Sequence, residues 1–551
     1  MRDGGGSAAR RRVAVVTGGG GGIGSEACFE LARQGVAVIA MDPGVGLEGE
    51  PLHEPTAEAV ADKIRASGGT ARSCDASVTD RDAVRDLFRD VVDEFGALDI
   101  VINTAGILRF PSFFDAGPDD WDAVLDVHFN GYLNVLAEAL PIMAEAGYGR
   151  IVGVTSGVGL ARTSAGGLAY GAAKRSVAAV SWELREILPA GVRVNVLSPI
   201  AASRMVRRAL EFAGTPAKGL DLSAMPQPAD MAPAAAYLAS EQFGSWAAGQ
   251  VVFSAGPELS VIGPPRLTEI VRSEGAVDFA AALGTVVPVV LHPAETEQRT
   301  TGGSNPRYGN VFDHAPPPLD GSGNGHVVVV AEDARLIDSL AKQLKAWTRK
   351  ATFVPAGGEF RHAEQSLTDA VAASGPFDAV VVALGAPDGA SADSRSWTET
   401  VESHRGVARY LVGTAGWLRA AARLSAAGGH PLRVVFATDA TSPAGRTAAQ
   451  AVAQMARSAN DTPADIEIDA MAIGAESAAA SDTDALAALA ARLATAADTR
   501  GLRGAELAVG RGWVGIRSHP GPVATVSFGS TDIPDWVDSA LRQAATNRHQ
   551  E

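Results

Sequence analysis

Residues 13–24 read VAVVTGGGGGIG, and the helix-forming stretch GIGSEACFELARQG follows directly. A β-branched run that breaks into glycines and then into a helical pattern predicts a strand, a tight turn and a helix. Glycine lets the backbone approach a pyrophosphate, and the helix N-terminus adds unpaired N–H groups and a favourable dipole, so the turn is a candidate dinucleotide site. The next strand, VAVIAMD, ends in Asp42. A carboxylate there accepts both ribose hydroxyls of an adenosine and repels a 2′-phosphate, which favours NAD over NADP.

Outward from this turn the same alternation continues through LDIVINTAG, RIVGVTS, VRVNVLSP and QVVFSAG, ending near Gly256. It reads as βαβ units around a buried parallel sheet. A stretch crowded with Gly, Pro, Asn and Ser then runs to about residue 325, the composition of a linker. Alternation resumes with HVVVVAED, FDAVVVALGAP, LRVVFATD and DIEIDAMAIG. LDIVINTAG (98–106) lines up with FDAVVVALG (377–385), RIVGVTS with RVVFATD, and Trp121 and His128 with Trp397 and His404. An internal duplication explains this pattern.

The expected fold class is α/β, with two tandem Rossmann-like doubly wound parallel-sheet domains, the second degenerate. The expected limits are a tail at 1–10, an NAD-binding domain at 11–262, an extension and linker at 263–325, a degenerate domain without a cofactor site at 326–517, and a C-terminal tail with a surface helix at 518–551.

With 551 residues the chain exceeds what one core holds. A net charge of −16 argues against nucleic-acid binding, which needs clustered Lys and Arg. The two cysteines, Cys28 and Cys74, show neither metal-ligand nor disulfide spacing, so no metal and a reducing cytoplasm are expected. The start, MRDGGGSAARRR, lacks the apolar region of a signal peptide, and no apolar run approaches the ~18 residues of a membrane span.

Tyr170-Gly-Ala-Ala-Lys174 places a phenol and an ammonium on one helix face. Of six tyrosines only Tyr170 has a lysine four residues on. The cation is expected to lower the phenol's pKa and suit it to proton transfer.

Taken jointly, Thr17-Gly18, Gly22, Gly24, the NTAG run at 103–106, Ser156 and the Tyr170/Lys174 pair make residues 10–260 resemble the short-chain dehydrogenase/reductase superfamily. The resemblance implies an enzyme interconverting a secondary alcohol and a ketone with a nicotinamide cofactor. It implies that Gly18, Gly22, Ile23 and Gly24 line the pyrophosphate, that Asp75 contacts adenine, and that Asn103, Ala105 and Gly106 border the adenine ribose. Ser156 would hydrogen-bond the substrate oxygen, Tyr170 transfer the proton, and Lys174 hold the nicotinamide ribose.

Three positions depart from the family pattern. The usual active-site asparagine falls at His128, which suggests relay through imidazole. The Ser156-to-Tyr170 gap is one residue longer than the family's usual spacing, so the loop ARTSAGG should bulge, and the usual Pro-Gly after the sixth strand reads Pro199-Ile200. His128, the run SPIAASRM and the insertion VGLEGEPLHEPTAEA are similar to the branch holding 3-hydroxyacyl-CoA dehydrogenase units and 3-oxoacyl reductases. That branch implies a β-hydroxyacyl or β-ketoacyl thioester, or a polyketide-like substrate, carried on coenzyme A or acyl carrier protein. Arg204, Arg207, Arg208 and Lys218 are then candidate phosphate partners.

In the second half Glu332 and Asp333 replace the glycine turn, Ser156 becomes Asp439, and no tyrosine follows Tyr410. Its helices match those that short-chain dehydrogenases use for pairing subunits, so an intramolecular pseudo-dimer is expected, with a homodimer of whole chains as a further option. The contrasting class is a non-catalytic scaffold or regulatory protein built on dehydrogenase folds.

Overall fold

Two sheets carry the chain in the computed structural model, which describes residues 10–272 and 325–547 except 53–55, 110, 112–114, 161–166, 213–224, 245–246, 349, 358–359, 392–395, 461–467, 478, 496–501, 503 and 530–531. The bulge expected in ARTSAGG and the role expected of Lys218 fall outside the described residues.

The first half supplies β1 (Val13–Thr17), β2 (Ala37–Met41), β3 (Ala71–Cys74), β4 (Ile100–Asn103), β5 (Gly149–Val154), β6 (Val192–Pro199), β7 (Val251–Ser254) and β8 (Glu258–Gly263). They lie in the order β8-β7-β6-β5-β4-β1-β2-β3, parallel except for β8. Val13 to Thr17 are all buried, because helices cover both faces of the sheet; hence the unbroken apolar run.

β9 (Leu267–Arg272) follows β8, and the second half adds β10 (His326–Ala331), β11 (Lys350–Pro355), β12 (Ala379–Ala383), β13 (Leu432–Asp439), β14 (Ile468–Ala475), β15 (Glu506–Gly510), β16 (Trp513–Arg517) and β17 (Gly521–Ser527). The second sheet runs β11-β10-β12-β13-β14-β15-β16-β9. β4 and β12 occupy the same place in their sheets, as do β5 and β13, which is what the aligned strings LDIVINTAG/FDAVVVALG and RIVGVTS/RVVFATD predict.

The ends of both sheets correct the sequence-based limits. β9, inside the expected linker, pairs antiparallel with β16 of the second sheet, while β17, inside the expected tail, pairs antiparallel with β8 of the first. Each half thus lends the other its last strand. The two crossings meet where the Ser518 amide donates to the Arg266 carbonyl at 2.7 Å and the Arg266 amide donates to Ser518 Oγ at 3.2 Å. The helix Trp536–Asn547 is no loose surface helix either. Its Val537 and Leu541 are fully buried with Val16, Leu31 and Phe243 of the first half, and the Tyr237 hydroxyl donates to Asp538 at 2.9 Å.

The halves also pack through helices. Leu168–Leu184 lies against Pro443–Ala459, and Ala172, Val177, Ala451 and Met455 belong to one continuous core. Arg446 Nε donates to Glu183 Oε1 at 2.9 Å, and Arg405 Nη1 to Asn134 Oδ1 at 2.6 Å, across the same seam. No helix among the described residues is long and apolar enough to cross a membrane.

Candidate active site

A cavity of about 840 Å³ opens at the carboxyl ends of β1, β2, β4 and β5, where open α/β sheets place their ligands. Its floor is the turn between β1 and the helix Gly22–Arg33. Gly18 sits at φ +66°, and a Cβ there would come within 2.8 Å of the Ala105 amide nitrogen. A Cβ on Gly24 would come within 2.2 Å of the Gly18 carbonyl oxygen, so neither position accepts a side chain. The helix N-cap is Gly21, with no side-chain hydrogen bond to the first-turn amides. Gly21, Gly22, Ile23 and Gly24, at the start of that helix, line the cavity, as a cradle for an anion would.

At the end of β2 the Asp42 carboxylate accepts from the Gly20 amide (3.1 Å), the Gly44 amide (2.8 Å) and the Thr56 hydroxyl (3.4 Å). It lines the cavity, as do Ala105 and Gly106. Two predicted cofactor residues lie elsewhere. Asn103 is 4% exposed and points into the sheet, where its Oδ1 accepts from the Thr17 hydroxyl at 2.6 Å; Thr104 reaches the cavity in its place. Asp75 is exposed beyond β3, and Ala76 to Thr79 form the wall there.

Opposite the glycine turn stand Ser156, Tyr170, Lys174 and His128. Ser156 and Tyr170 line the same cavity wall, and the serine hydroxyl acts to lower the phenol's pKa. The Lys174 Nζ donates to the Val154 carbonyl at 2.8 Å and lies 5.6 Å from the centre of the Tyr170 ring. Burial works against the charge effect expected from the sequence. It raises the Tyr170 phenol above its ordinary value, with the Ser156 hydrogen bond pulling the other way, and it lowers Lys174 to about 7. Lys174 is only 4% exposed, and burial alone accounts for its lowering.

His128 lies in a π-helical turn, Asp126–Asn130, with its ring edge-on to Tyr170 at 5.1 Å. Its Nε2 donates to the Ile107 carbonyl at 2.7 Å, which leaves buried Nδ1 as an acceptor without a protein partner. Burial first, and then Lys174, hold the imidazole well below 6.5. An unfolded chain takes up a proton here as pH drops below 6.5 while the folded chain does not, so this residue makes stability fall with acidity. Thermal unfolding between about pH 7 and about pH 5 should therefore show a shallower slope in His128→Asn than in the wild type. Equal slopes would mean that the imidazole titrates normally.

Sequence reasoning missed the lid over the cofactor side. The insertion after Asp42 folds back through a Val45–Pro51 bridge, and Val45, Gly46, Leu47 and Gly49 line the cavity. The Leu108 amide donates to the Leu47 carbonyl at 2.7 Å, and Arg208 pairs with Glu48 at 3.4 Å. The clue was Gly46 and Gly49 within GLEGEP, which favour a tight reversal. Arg204 and Arg207 line the cavity, and Arg204 Nη2 lies 3.3 Å from where a Gly21 Cβ would stand.

Residues 12–211 match the profile of the family described as short chain dehydrogenase. A short-chain type dehydrogenase/reductase of Mycobacterium tuberculosis is 37% identical over 222 residues, spanning 40% of this chain and 74% of that protein. The acetoacetyl-CoA reductase of Cupriavidus necator is 33% identical over 250 residues, spanning 44% of this chain and 93% of that one. The chain belongs to the short-chain dehydrogenase family. As a short-chain dehydrogenase it is an NAD(P)-dependent oxidoreductase. Both relatives match less than half of it, and the whole architecture has a counterpart in the N-domain of a bacterial malonyl-CoA reductase, solved with NADP. That structure is 19% identical, with a TM-score of 0.65 over 90% of this chain and 96% of its own, a likeness of fold.

Proposed function

We propose that this short-chain dehydrogenase interconverts a β-ketoacyl and a β-hydroxyacyl thioester with NAD(H), using Ser156, Tyr170, Lys174 and His128. The observation that carries this reading is the convergence of Ser156, Tyr170 and Lys174 in the cavity that also holds the glycine cradle. The acetoacetyl-CoA reductase among the relatives supports the substrate class, and Arg204 and Arg207 on the cavity wall supply charge for a phosphorylated carrier.

The cradle residues fit a dinucleotide: Gly18, Gly22 and Gly24 leave room for the pyrophosphate, and Asp42 for the adenosine ribose. A bound nicotinamide supplies or accepts the hydride. Around it, Ser156 orients the substrate oxygen, Tyr170 gives that oxygen its proton in reduction and takes it back in oxidation, and Lys174 holds the nicotinamide ribose. Nδ1 of His128, an unpartnered acceptor beside Tyr170, would accept a hydrogen bond from a water that exchanges protons with the phenol. The second half would bind no dinucleotide, because Asp333 itself caps the corresponding helix by accepting from the Leu336 amide at 2.7 Å. Its role is that of a built-in partner subunit.

The assay follows NADH and NADPH absorbance against acetoacetyl-CoA, its carrier-protein thioester and free ketones. Turnover of the thioesters above the free ketones is expected; cofactor binding without turnover of any of them would overturn the proposal. Asp42→Ala should lower the NAD-over-NADP ratio of kcat/KM by at least about tenfold, or about 1.4 kcal/mol, with Asp42→Asn intermediate. A wild-type enzyme that already prefers NADP would refute the reading of Asp42.

A further inference from the structure

The Tyr170 helix, Leu168–Leu184, turns one face to the cavity and another to the second half. On that second face Arg175 is fully buried. Its Nη1 donates to the Leu160 carbonyl at 3.1 Å, its Nε to Gln450 Oε1 at 3.2 Å and its Nη2 to Glu506 Oε2 at 3.3 Å. Beside it Gln454, 1% exposed, donates from Nε2 to the Val158 carbonyl at 2.5 Å and accepts from Arg457 Nη1 at 2.6 Å.

Val158 and Leu160 belong to the short helix Gly157–Leu160, which begins immediately after Ser156. A single turn of four residues does not hold its shape alone, and its last carbonyls have no helical partner. Here both are met by hydrogen bonds that depend on the second half. The turn is also pressed against the catalytic helix: a Cβ on Gly159 would come within 2.6 Å of the Lys174 Cβ. Any shift of the turn therefore reaches Ser156 on one side and Lys174 on the other.

We propose that Gln454 and Glu506 are positioning residues lent by the second half, which fix the Gly157–Leu160 turn, Glu506 through Arg175, and thereby set how Ser156 meets Tyr170. The degenerate half thus completes the active site without touching it. Glu506 opens β15 at 5% exposure, where burial raises its carboxyl above the ordinary value, Arg175, Arg457 and Arg517 pull it back in part, and Glu476 adds to the rise. This inference rests on the reading of Ser156 and Tyr170 as the reacting pair.

The test compares wild type, Gln454→Leu, Glu506→Gln, Glu506→Asp and Tyr170→Phe in the full chain, with acetoacetyl-CoA and either NADH or NADPH. Gln454→Leu should lose on the order of 10–100-fold in kcat, as expected of a small misplacement of reacting groups. KM and cofactor affinity should stay within about twofold. The alkaline limb of its pH profile should move up, because a weakened Ser156 hydrogen bond no longer lowers the phenol's pKa. Glu506→Gln should shift both quantities the same way, and Glu506→Asp should recover part of the loss. Amide deuterium uptake over residues 157–160, measured with NADH and needing no turnover, should rise in both main variants.

A merely structural role would lower the melting temperature and leave the pH limb in place. Folded Gln454→Leu and Glu506→Gln proteins with wild-type kcat, pH limb and deuterium uptake overturn the proposal; if the leucine variant does not fold, the isosteric glutamine variant decides alone. Tyr170→Phe separates the two readings. Wild-type rates in that variant remove the reacting pair itself, whereas an inactive Tyr170→Phe beside unaltered second-half variants removes only the positioning role.

Discussion

Tyr170→Phe is expected to lower kcat by about 10²–10⁴-fold, roughly 3–5 kcal/mol of transition-state stabilisation, while cofactor affinity stays within about twofold. The phenyl ring keeps the volume and the edge-on contact with His128, so the loss isolates the hydroxyl. The pH dependence fixes the sign. Oxidation needs the phenolate and should rise with pH towards the tyrosine's pKa; reduction needs the phenol and should fall over the same range. Burial places that limb on the alkaline side, and Ser156→Ala, which removes the bond that lowers the phenol's pKa, should move it higher still. In Tyr170→Phe the limb should vanish. Retention of wild-type rates would show that another group handles the proton.

Deleting residues 521–551 is expected to cost the enzyme its folded state, and not merely a tail. The deletion removes β17, which pairs with β8 from Glu258 to Gly263, and the helix that buries Val537 and Leu541. Each of those two side chains contributes about 1.5–3 kcal/mol by burial alone. Added to the lost ladder and the exposed underside of the first sheet, this rivals the 5–15 kcal/mol by which domains are ordinarily stable. Leu541→Ala provides the graded control, at about 2–5 kcal/mol. Thermal unfolding and NADH fluorescence check both. A shortened protein with the wild-type melting temperature and bound NADH would show that the exchanged strand is an accessory.

The legible parts of this protein were local. The glycine turn at Gly18–Gly24, the four-residue spacing of Tyr170 and Lys174, and the strands from VAVVTG to HVVVVA announce themselves because the periods of helix and strand and the needs of a tight turn are satisfied within a dozen residues. The duplication was legible too, since β4 with β12 and β5 with β13 kept their patterns. Asp75 and Asn103 were carried over by position, and direction is not a property of position: Asn103 lies at the end of a strand, where one side chain faces the cavity and its neighbour the sheet.

By itself, then, the sequence determined two doubly wound units, a glycine turn in the first that the second lacks, together with the Tyr170–Lys174 pair. The tertiary structure alone decided which sheet each of the last strands joins, because a short strand offers the same backbone donors and acceptors to either edge. It also decided the balance of charges at Tyr170 and Lys174. Spacing brings the cation near the phenol, but the packing of the Leu168–Leu184 helix buries Lys174 and half-buries Tyr170, and that burial lowers the pKa of the one and raises that of the other.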